Sequence, residues 1–369
     1  MVHPVWTRQI SWYRRGQSWP AGGLRVAELF KIVTGMLGWC VAGVWDERGG
    51  AQAAIIAPFF GHQMRVFRGF SRPLPGPTAL AIGNFDGVHR GHGVLLERLG
   101  GVARQLALPS TVLTFDPHPR EFFSLASAPA RLTTFREKLE LLAEAGIEQA
   151  MVCRFNARFA ALTATQFIEQ VLVGGLRVRQ LIVGDDFRFG KGRAGDFSLL
   201  QQAGAAHGFS VEAMGSVTVD GERVSSSAVR AALVAGDMEQ AARLLGRPYI
   251  IDGQVAHGDK VGRQLGFATA NIRIRHNPLP MTGVFAVEVS GLGVKPLHGV
   301  ANLGIRPTVG GTRPLLEVHL FDFDRDIYGA HISVRFVHKL RSEQRFPNFD
   351  ALKVQIAADA AAARAFFKR

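Results

Sequence analysis

The sequence predicts an α/β domain with a parallel sheet, followed by a small antiparallel β-barrel and a C-terminal helix. In the first part, short apolar runs alternate with stretches of helical spacing, which is typical of a parallel sheet with helices on both faces. In the second part, short strand-like segments are separated by Gly- and Pro-rich turns, which is typical of a small barrel. An Ala-rich stretch with apolar residues at helical spacing follows near the end of the chain.

The first domain is predicted to extend over residues 64–245. Its strands are predicted at residues 78–82, 111–115, 150–155, 180–183 and 209–214. Its helices are predicted at residues 91–107, 134–145, 163–172, 196–207 and 238–245. In parallel sheets of this kind, ligands bind at the carboxyl ends of the strands. We therefore expect the functional residues of this domain in the loops that follow the strands.

The second domain is predicted to extend over residues 246–369, beginning at the turn sequence Gly246-Arg247-Pro248. Its strands are predicted at residues 250–257, 283–289, 297–301, 315–321 and 331–337. The closing helix is predicted at residues 349–367, where apolar side chains form one stripe. We expect this stripe to pack against the barrel.

Residues 1–63 differ from the rest of the chain, because they show no convincing period of a helix or a strand apart from a possible short helix near residues 24–31. Met64 then opens the first segment that leads into a clear strand. We expect residues 1–63 to be a disordered tail or an artefact of the assigned start, with Met64 as the native start. The alternative is a genuine extension with a role in regulation or assembly.

Composition and charge exclude several classes of protein. The 369 residues are 47% hydrophobic and 20% charged, which is typical of a globular protein. Two cysteines, Cys40 and Cys153, suit a reducing compartment, and we expect a cytoplasmic location. The most apolar stretch, residues 32–45, is shorter than the ~20 residues that span a bilayer, so no membrane association is expected. The net charge of +13 is spread along the chain without a nucleic-acid-binding motif, so we expect no nucleic-acid partner.

The first chemical motif is GNFDGVHRGH at residues 83–92, between a predicted strand and a predicted helix. Glycines let the backbone approach a phosphate, and the start of a helix offers free N–H groups. His89 and His92 lie in the first helical turn with both rings on one side. Two imidazoles there can donate hydrogen bonds to a nucleoside triphosphate as it is attacked. A glycine turn with two surface histidines is the alternative.

This segment resembles the His-x-Gly-His signature of the nucleotidylyltransferase superfamily. Its extended form resembles the adenylyltransferase module of bacterial bifunctional riboflavin kinase/FAD synthetases. The resemblance implies a Rossmann-like nucleotidylyltransferase domain with His89 and His92 as catalytic residues. It also implies nucleotide binding by loop residues Gly83, Phe85, Asp86 and Gly87.

Two further loops agree with this resemblance. Residues 114–121, TFDPHPRE, follow the second predicted strand, and the resemblance implies flavin contacts from Phe115, Pro117 and His118. Residues 183–190, VGDDFRFG, combine an acidic pair with a basic, Gly-rich continuation, which suits a magnesium–phosphate complex beside an aromatic face. The resemblance implies flavin contacts from Asp186 and Phe187, and a charged surface turn is the alternative.

Residues 224–230, VSSSAVR, complete the predicted first site. Serines at the start of a helix cap its free N–H groups, which is the structural alternative. The family has Ser-Ser-Thr and then Arg here, which implies nucleotide binding by Ser226 and Ser227 and a phosphate-binding, catalytic role for Arg230. Ser227 replaces the usual Thr, and Ala228 stands where many relatives have an additional Arg.

The barrel half carries the sequence GQVAHGDKVGRQLGFATAN at residues 253–271, which resembles the flavokinase signature. Closely spaced glycines free backbone N–H groups for phosphate, and the resemblance implies this role for Gly258, Gly262 and Gly266. The Thr269 hydroxyl and the Asn271 amide can complete a Mg²⁺ shell with ATP oxygens. Ala268 replaces the usual Pro, which removes a fixed backbone angle but no ligand.

Glu317 lies in the predicted strand at residues 315–321, which is otherwise apolar and alternating and overlaps the family-matching segment LEVHLFDF at residues 316–323. We expect its carboxylate to point inward, where it either joins a structural network or acts as a base. The resemblance implies that Glu317 is the general base that accepts the proton of the riboflavin 5′-hydroxyl.

The resemblance covers about residues 65–359 and implies a bifunctional enzyme. Such an enzyme phosphorylates riboflavin to FMN and adenylylates FMN to FAD, with ATP and Mg²⁺ in both steps. Its partners are these small molecules, and the oligomeric state stays open. Alternatives are a flavin-binding protein, a relative with one inactive module, and an aminoacyl-tRNA synthetase. The last would need tRNA-binding domains where the barrel motifs lie.

Overall fold

The computed structural model describes residues 63–70, 72–125, 127–257, 266–274, 276, 278–308 and 311–368, together with the backbone of three strands between residues 33 and 58. The strands of the first sheet are β1 Val33–Gly35, β2 Trp39–Trp45, β3 Ala51–Pro58, β4 Met64–Arg68, β5 Thr78–Ile82, β6 Ser110–Phe115, β7 Gln149–Cys153, β8 Val178–Gly184 and β9 Ser210–Met214. A two-stranded ribbon follows, β10 Thr218–Val219 and β11 Glu222–Arg223. The barrel strands are β12 Ile250–Ala256, β13 Ala270–Arg273, β14 Gly283–Ser290, β15 Leu297–Thr308, β16 Gly311–Leu320 and β17 His331–Arg341.

Nine α-helices belong to the described part of the chain. They are α1 Arg90–Gln105, α2 Pro119–Phe123, α3 Phe135–Glu144, α4 Ala157–Ala160, α5 Ala164–Gln166, α6 Phe197–His207, α7 Ser226–Ala235, α8 Met238–Leu245 and α9 Phe349–Phe367. A π-helical segment, Phe167–Gly175, and a 3₁₀ turn, Lys191–Arg193, complete the helical elements. A membrane-spanning helix is not found among the described residues.

The first sheet has the strand order β1-β2-β3-β4-β7-β6-β5-β8-β9. Strands β4 to β9 pair in parallel, and β1 to β3 extend the sheet antiparallel from the β4 edge. The central strands β5 and β7 are buried at every residue, as expected for a parallel sheet covered on both faces. The predicted α/β class with a parallel sheet is confirmed.

The barrel is closed, with the strand order β12-β13-β16-β15-β14-β17 and antiparallel pairing throughout. Helix α9 occupies the predicted residues and packs on the outside, where Ala360 and Ala363 join Val284 and Ala286 of β14 in one buried cluster. Arg341 and Asp359 form a bidentate ion pair that connects α9 to β17. The predicted barrel with a closing helix is therefore confirmed.

Among the differences from the predicted elements, three concern β13, the strands β1 to β3 and the helix predicted at residues 163–172. The short strand β13 was not predicted. Only Ile272 of its four residues is buried, so the sequence shows no alternating apolar pattern there. No sequence pattern predicted β1 to β3, and β3 is joined to the sheet through backbone pairing with β4. The helix near residues 24–31 lies outside the described residues.

The third difference is the helix predicted at residues 163–172, which is mainly π-helical. Its wider turn brings Gly174 and Gly175 close to the carbonyls five residues earlier. A Cβ atom at these glycines would lie 3.0 Å from the carbonyl oxygen of Glu169 and 3.1 Å from that of Gln170. Glycine therefore makes the wide turn possible at this place.

The helices α7 and α8 connect the two domains through a shared core. Val229 and Leu233 of α7 and Leu244 of α8 belong to the same buried cluster as Ile251 and Phe285 of the barrel. Leu132, from the loop before α3, joins this cluster as well. The barrel and the loops of the α/β domain are therefore in direct packing contact.

Candidate active sites

The first candidate site lies at the carboxyl edge of the parallel sheet. Strands β6, β5 and β8 are neighbours and run in the same direction, so the loops that follow them meet at one edge. The loop after β5 contains the GNFDGVHRGH motif, and the predicted flavin-contacting loops follow β6 and β8. The fold thus brings together three segments that the sequence singled out separately.

His89 is the N-cap of α1, and its ring stacks on that of His92. The Nδ1 atom of His89 accepts a hydrogen bond from the backbone N–H of His92 at 3.3 Å. The two ring centroids are 3.7 Å apart with 15° between the planes. Because Nδ1 of a neutral imidazole that accepts a hydrogen bond carries no proton, the proton of His89 sits on Nε2. His89 therefore has an N–H group to offer to a ligand.

Both histidines are held neutral by burial. Desolvation lowers the pKa of His89 to about 4, with Asp86 opposing the shift and the cations Arg230 and Arg247 adding to it. Desolvation also lowers the pKa of His92 well below its usual value, and His89 adds to that shift. At neutral pH these rings are hydrogen-bonding groups rather than cations.

Two buried polar atoms of this loop lack a hydrogen-bond partner in the described structure: Oδ1 of Asn84 and Nδ1 of His92. A buried polar atom without a partner is costly, so such atoms are typical of sites where a ligand or water binds. Asn84 was not among the residues that the sequence analysis assigned. A polar side chain between Gly83 and Phe85 at the end of a buried strand was the available indication.

The buried Asp86 forms an ion pair with the partly buried Arg230, whose guanidinium also donates to the carbonyl of Ala130 at 2.6 Å. The Asp86 carboxylate accepts further hydrogen bonds from the backbone N–H groups of Leu132 at 3.0 Å and Thr133 at 3.2 Å. Arg230 is thus close to the predicted site but is engaged by Asp86. A phosphate group that binds Arg230 has to share it with this carboxylate.

The two predicted serines differ in their surroundings. The Ser226 hydroxyl donates to the backbone carbonyl of Asp86 at 2.9 Å, which links the start of α7 to the loop. Ser227 is exposed and does not take part in this contact. Ser225, directly before them, caps α7 by accepting from the N–H of Ala228 at 3.1 Å, as the structural alternative proposed for this segment.

Lys138 is a buried cation that the sequence analysis did not assign. Its Nζ atom donates to the carbonyl of Asn84 at 3.2 Å, to the Thr114 hydroxyl at 3.2 Å and to the carbonyl of Phe115 at 3.3 Å. Burial lowers the pKa of Lys138 to about 8. Lys138 therefore connects the loop after β5 to the last two residues of β6, where the predicted flavin segment begins.

The loop after β6 is fixed by caps and ion pairs. His118 caps α2 by accepting from the N–H of Arg120 at 3.1 Å, directly after Pro117. Arg131 bonds Glu121 at 2.5 Å and Asp116 at 3.2 Å, so it crosslinks this loop. Burial would raise the pKa of Glu121, but the hydrogen bonds from Arg131 leave it lowered.

Phe115 begins an aromatic cluster. Its ring centroid lies 5.8 Å from that of Phe155 and 5.9 Å from that of Phe159. Phe122 and Phe123 extend this cluster to the surface, where Phe123 is 69% exposed. An apolar, partly open aromatic surface of this kind suits a planar ring system.

Asp186 and Phe187 follow β8 on the other side of the histidines. The exposed Asp186 forms an ion pair with Arg223 at 2.9 Å. Phe187 stacks on Phe189, with ring centroids 5.8 Å apart and 16° between the planes. Both predicted residues thus lie at the same edge of the sheet as the histidine motif.

The second candidate site lies on the outer face of the barrel. In β16, Leu316 and Val318 are fully buried in the barrel core, whereas Glu317 between them is only partly buried. Because successive strand residues point to opposite faces, Glu317 lies on the outer face. The expectation of an inward-pointing carboxylate is therefore wrong.

The register places two amides beside Glu317. Asn271 of β13 and Asn302 of β15 are its direct partners on the two neighbouring strands, so the three residues form a row on one face. Asn271 was predicted from the flavokinase motif, and Asn302 was not assigned individually. The row combines a carboxylate with amide oxygens, which is a donor set suited to a hard cation or to a hydroxyl group.

The segment before β13 lies against the same face. The carbonyl of Ala268 is 2.9 Å from Nδ1 of His319, which follows Glu317 by two residues on β16. The half-buried Thr269 lies between this contact and Asn271. Gly266 has a φ of +87° at the described end of the glycine-rich loop. Gly258 and Gly262 lie outside the described residues.

Comparisons with known proteins match both halves of the chain. The family model for FAD synthetase matches residues 72–228, and that for riboflavin kinase matches residues 245–367. The bifunctional riboflavin kinase/FMN adenylyltransferase of Escherichia coli (strain K12) is 52% identical over 307 residues, covering 82% of this chain and 98% of that protein. The protein of the same name from Haemophilus influenzae is 48% identical over 307 residues and is covered to 99%, again with 82% of this chain.

Among solved structures, a Streptococcus pneumoniae protein titled macrolide-efflux protein has a similar fold, with a TM-score of 0.69 and 27% identity. The match covers 81% of this chain and 98% of that one, so it includes both domains. Together with the identity to full-length relatives, these matches show that the chain belongs to the bifunctional riboflavin kinase/FMN adenylyltransferase family.

Proposed function

We propose that this chain makes FAD in two ATP-dependent steps, one in each domain. The barrel domain, residues 246–369, phosphorylates riboflavin to FMN. The α/β domain, residues 64–245, transfers AMP from ATP to FMN and releases pyrophosphate. The observation that supports this assignment best is the match of separate FAD synthetase and riboflavin kinase models to the two domains in this order.

In the kinase step, Glu317 accepts the proton of the riboflavin 5′-hydroxyl, and the oxygen attacks the γ-phosphorus of ATP while ADP leaves. The position of Glu317 on the partly open outer face of the barrel supports this role, because a substrate can reach it there. The neighbouring Asn271 and Asn302 are placed to orient the carboxylate and the hydroxyl group.

Mg²⁺ enters as part of the ATP complex in both steps. In the described part of the chain, no group of three or more His, Cys, Asp or Glu side chains is arranged to hold a metal ion. Thr269 and Asn271 would hold the ion together with ATP, because they offer neutral oxygen atoms near Glu317. The metal neutralises phosphate charge when it is bound.

In the adenylyl transfer, a phosphate oxygen of FMN attacks the α-phosphorus of ATP, and the bond to pyrophosphate breaks. This reaction needs no protein nucleophile and no proton acceptor. The neutral rings of His89 and His92 donate hydrogen bonds to the phosphate oxygens where negative charge builds up, and Arg230 adds a positive charge. The free N–H groups at the start of α1 add to this stabilisation.

The flavin ring of FMN is expected against the aromatic cluster that starts at Phe115, beside Pro117 and His118. Asp186 and Phe187 approach the same edge from β8, on the far side of the histidines. With the flavin ring there, we expect the flavin phosphate to lie between the aromatic surface and the histidine motif.

Incubation of the purified chain with riboflavin, ATP and Mg²⁺, followed by chromatography of the flavins, tests the proposal. FMN that accumulates first and is then converted to FAD supports it. FMN alone contradicts an active α/β domain, and the absence of both products contradicts an enzymatic function in favour of a flavin-binding protein. Supplying FMN instead of riboflavin measures the second step separately.

A further inference from the structure

Arg247 connects the barrel domain to the histidine loop of the α/β domain. It lies two residues after α8, within the part of the chain that matches the riboflavin kinase model. Its guanidinium nevertheless donates to two backbone carbonyls of the GNFDGVHRGH motif, that of Gly87 at 2.6 Å and that of Val88 at 3.0 Å. These carbonyls directly precede His89, so a residue of one domain holds the active-site loop of the other.

The loop needs such support because its backbone conformation is unfavourable. Phe85 has a φ of +50° and Val88 a φ of +38°. Residues other than glycine rarely adopt a positive φ. A β-branched residue such as Val88 is especially strained there, and such a conformation persists only where surrounding contacts enforce it. The two hydrogen bonds of Arg247 act on this residue and on its neighbour Gly87.

The turn after α8 places Arg247 next to the histidine loop. Gly246 ends α8 with a φ of +79°, and a Cβ atom at this position would lie 3.1 Å from Cγ of Arg90 in the first turn of α1. The turn is therefore in contact with the start of the helix that carries His92. Two residues further, the buried Tyr249 donates its hydroxyl to the carbonyl of Leu132 at 3.3 Å, beside the backbone N–H that Asp86 binds.

We propose that Arg247 is a positioning residue for FMN adenylylation that the riboflavin kinase domain supplies. It fixes the Gly87 and Val88 carbonyls, so that His89 remains the N-cap of α1 with its Nε2–H directed to the substrate. The inference rests on the proposed function of the histidine loop. It implies that the barrel takes part in the reaction of the α/β domain through a defined contact.

The electrostatic surroundings agree with this role. Arg247 is one of the cations that keep His89 neutral, while Asp86 and Arg230 are the other charged groups that act on this ring. A planar guanidinium with several donors can bind two carbonyls together, whereas the single ammonium of a lysine cannot reproduce that geometry. Arginine is therefore expected to be specifically required here.

The test compares Arg247→Ala and Arg247→Lys with the wild-type chain, with FMN adenylylation and riboflavin phosphorylation measured on the same preparation. We expect kcat/KM of adenylylation to fall on the order of 100-fold in the Ala variant, mainly through kcat, because the reacting groups lose their alignment. Riboflavin phosphorylation should stay within about twofold of wild type, since the contact lies outside the barrel site. The Lys variant should recover only part of the lost adenylylation.

Arg243→Ala is the matched control, because Arg243 lies on α8 and pairs with exposed groups such as Glu239. Unchanged adenylylation in folded Arg247→Ala overturns the proposal, and so does an equal loss of both activities, which would indicate a merely structural role. If the Ala variant does not fold, the Lys variant decides: a selective loss of adenylylation supports the proposal, and wild-type adenylylation overturns it. A wild-type chain that makes no FAD from FMN contradicts the proposed function itself.

Discussion

The two candidate sites of this chain are built in different ways. The adenylyltransferase site is a loop of unusual backbone conformation, held by charged side chains that are distant in sequence, such as Lys138, Arg230 and Arg247. The kinase site is a row of side chains on regular strands, with Glu317 between Asn271 and Asn302. The position of a strand residue is fixed by the backbone hydrogen bonds of the sheet. The conformation of a strained loop depends on contacts with surrounding residues. We therefore expect substitutions to act locally in the barrel and at a distance in the α/β domain.

The largest effect is expected from Glu317→Gln. Loss of a general base costs roughly 10²- to 10⁴-fold in rate, so riboflavin phosphorylation should fall by this factor. Adenylylation of supplied FMN should be unchanged, because the register of β16 does not depend on this side chain. Glu288→Gln is the matched control, since Glu288 lies on β14 and pairs with the partly exposed Arg335. Full kinase turnover in the Glu317 variant would refute its role as the base.

The next effect concerns Asp86→Asn, which leaves the partly buried guanidinium of Arg230 without its counter-charge. Breaking a fully buried ion pair costs about 3–5 kcal/mol in the free energy of unfolding, so this range is the upper bound for the partly buried Asp86–Arg230 pair. Denaturant unfolding followed by circular dichroism measures this loss. The same substitution at the exposed Asp322, which pairs with Arg364, should have a much smaller effect. Equal stability of the two variants would show that the Asp86 pair is not a support of the loop.

His92→Gln tests the chemistry of the loop more directly. Removal of one hydrogen-bond donor to developing charge typically costs about 100-fold in kcat, which is the loss expected for FMN adenylylation. The kinase activity of the same preparation should be unchanged. His207→Gln, at the exposed end of α6, provides the control. An equal loss of both activities would point to a folding defect instead of a catalytic one.

The sequence predicted most of the elements that carry the two sites, because strand and helix periods are local properties, but it did not predict β13, which carries Asn271. It also indicated the correct direction of Glu317, since the apolar Leu316, Val318 and Leu320 alternate with Glu317 and His319. The inward direction expected for a lone carboxylate in an apolar strand disagrees with this alternation, which places Glu317 on the face opposite to the core. The register that brings Asn302 to Glu317 depends on the connection between β15 and β16, residues 309–310, which lies outside the described residues.

The supports of the histidine loop could not be predicted in the same way. Asp86 and Arg230 are 144 residues apart, and Gly87 and Arg247 are 160 residues apart. No local period relates such pairs, and each arginine alone is indistinguishable from a solvated surface cation. Lys138 lies on an amphipathic helix, where a lysine is ordinarily expected on the exposed side. Only the three-dimensional arrangement shows that these cations face carbonyls and a carboxylate.

The smallest expected effect concerns His89, whose ring should not titrate in the pH range that is usual for histidine. Because burial lowers the pKa of His89 to about 4, its ring should stay neutral between pH 5 and 8, whereas an unperturbed histidine titrates near 6.5. Between pH 4 and 6.5, His89 therefore binds a proton more readily in the unfolded chain than in the folded chain. The free energy of unfolding therefore decreases as the pH falls from about 6.5 towards 4. Imidazole NMR signals of histidine-labelled protein, assigned with a His89→Gln variant, measure the titration. A midpoint near 6.5 would mean that the ring is solvated, and the loop would then lack the dry environment on which its contrast with the barrel site rests.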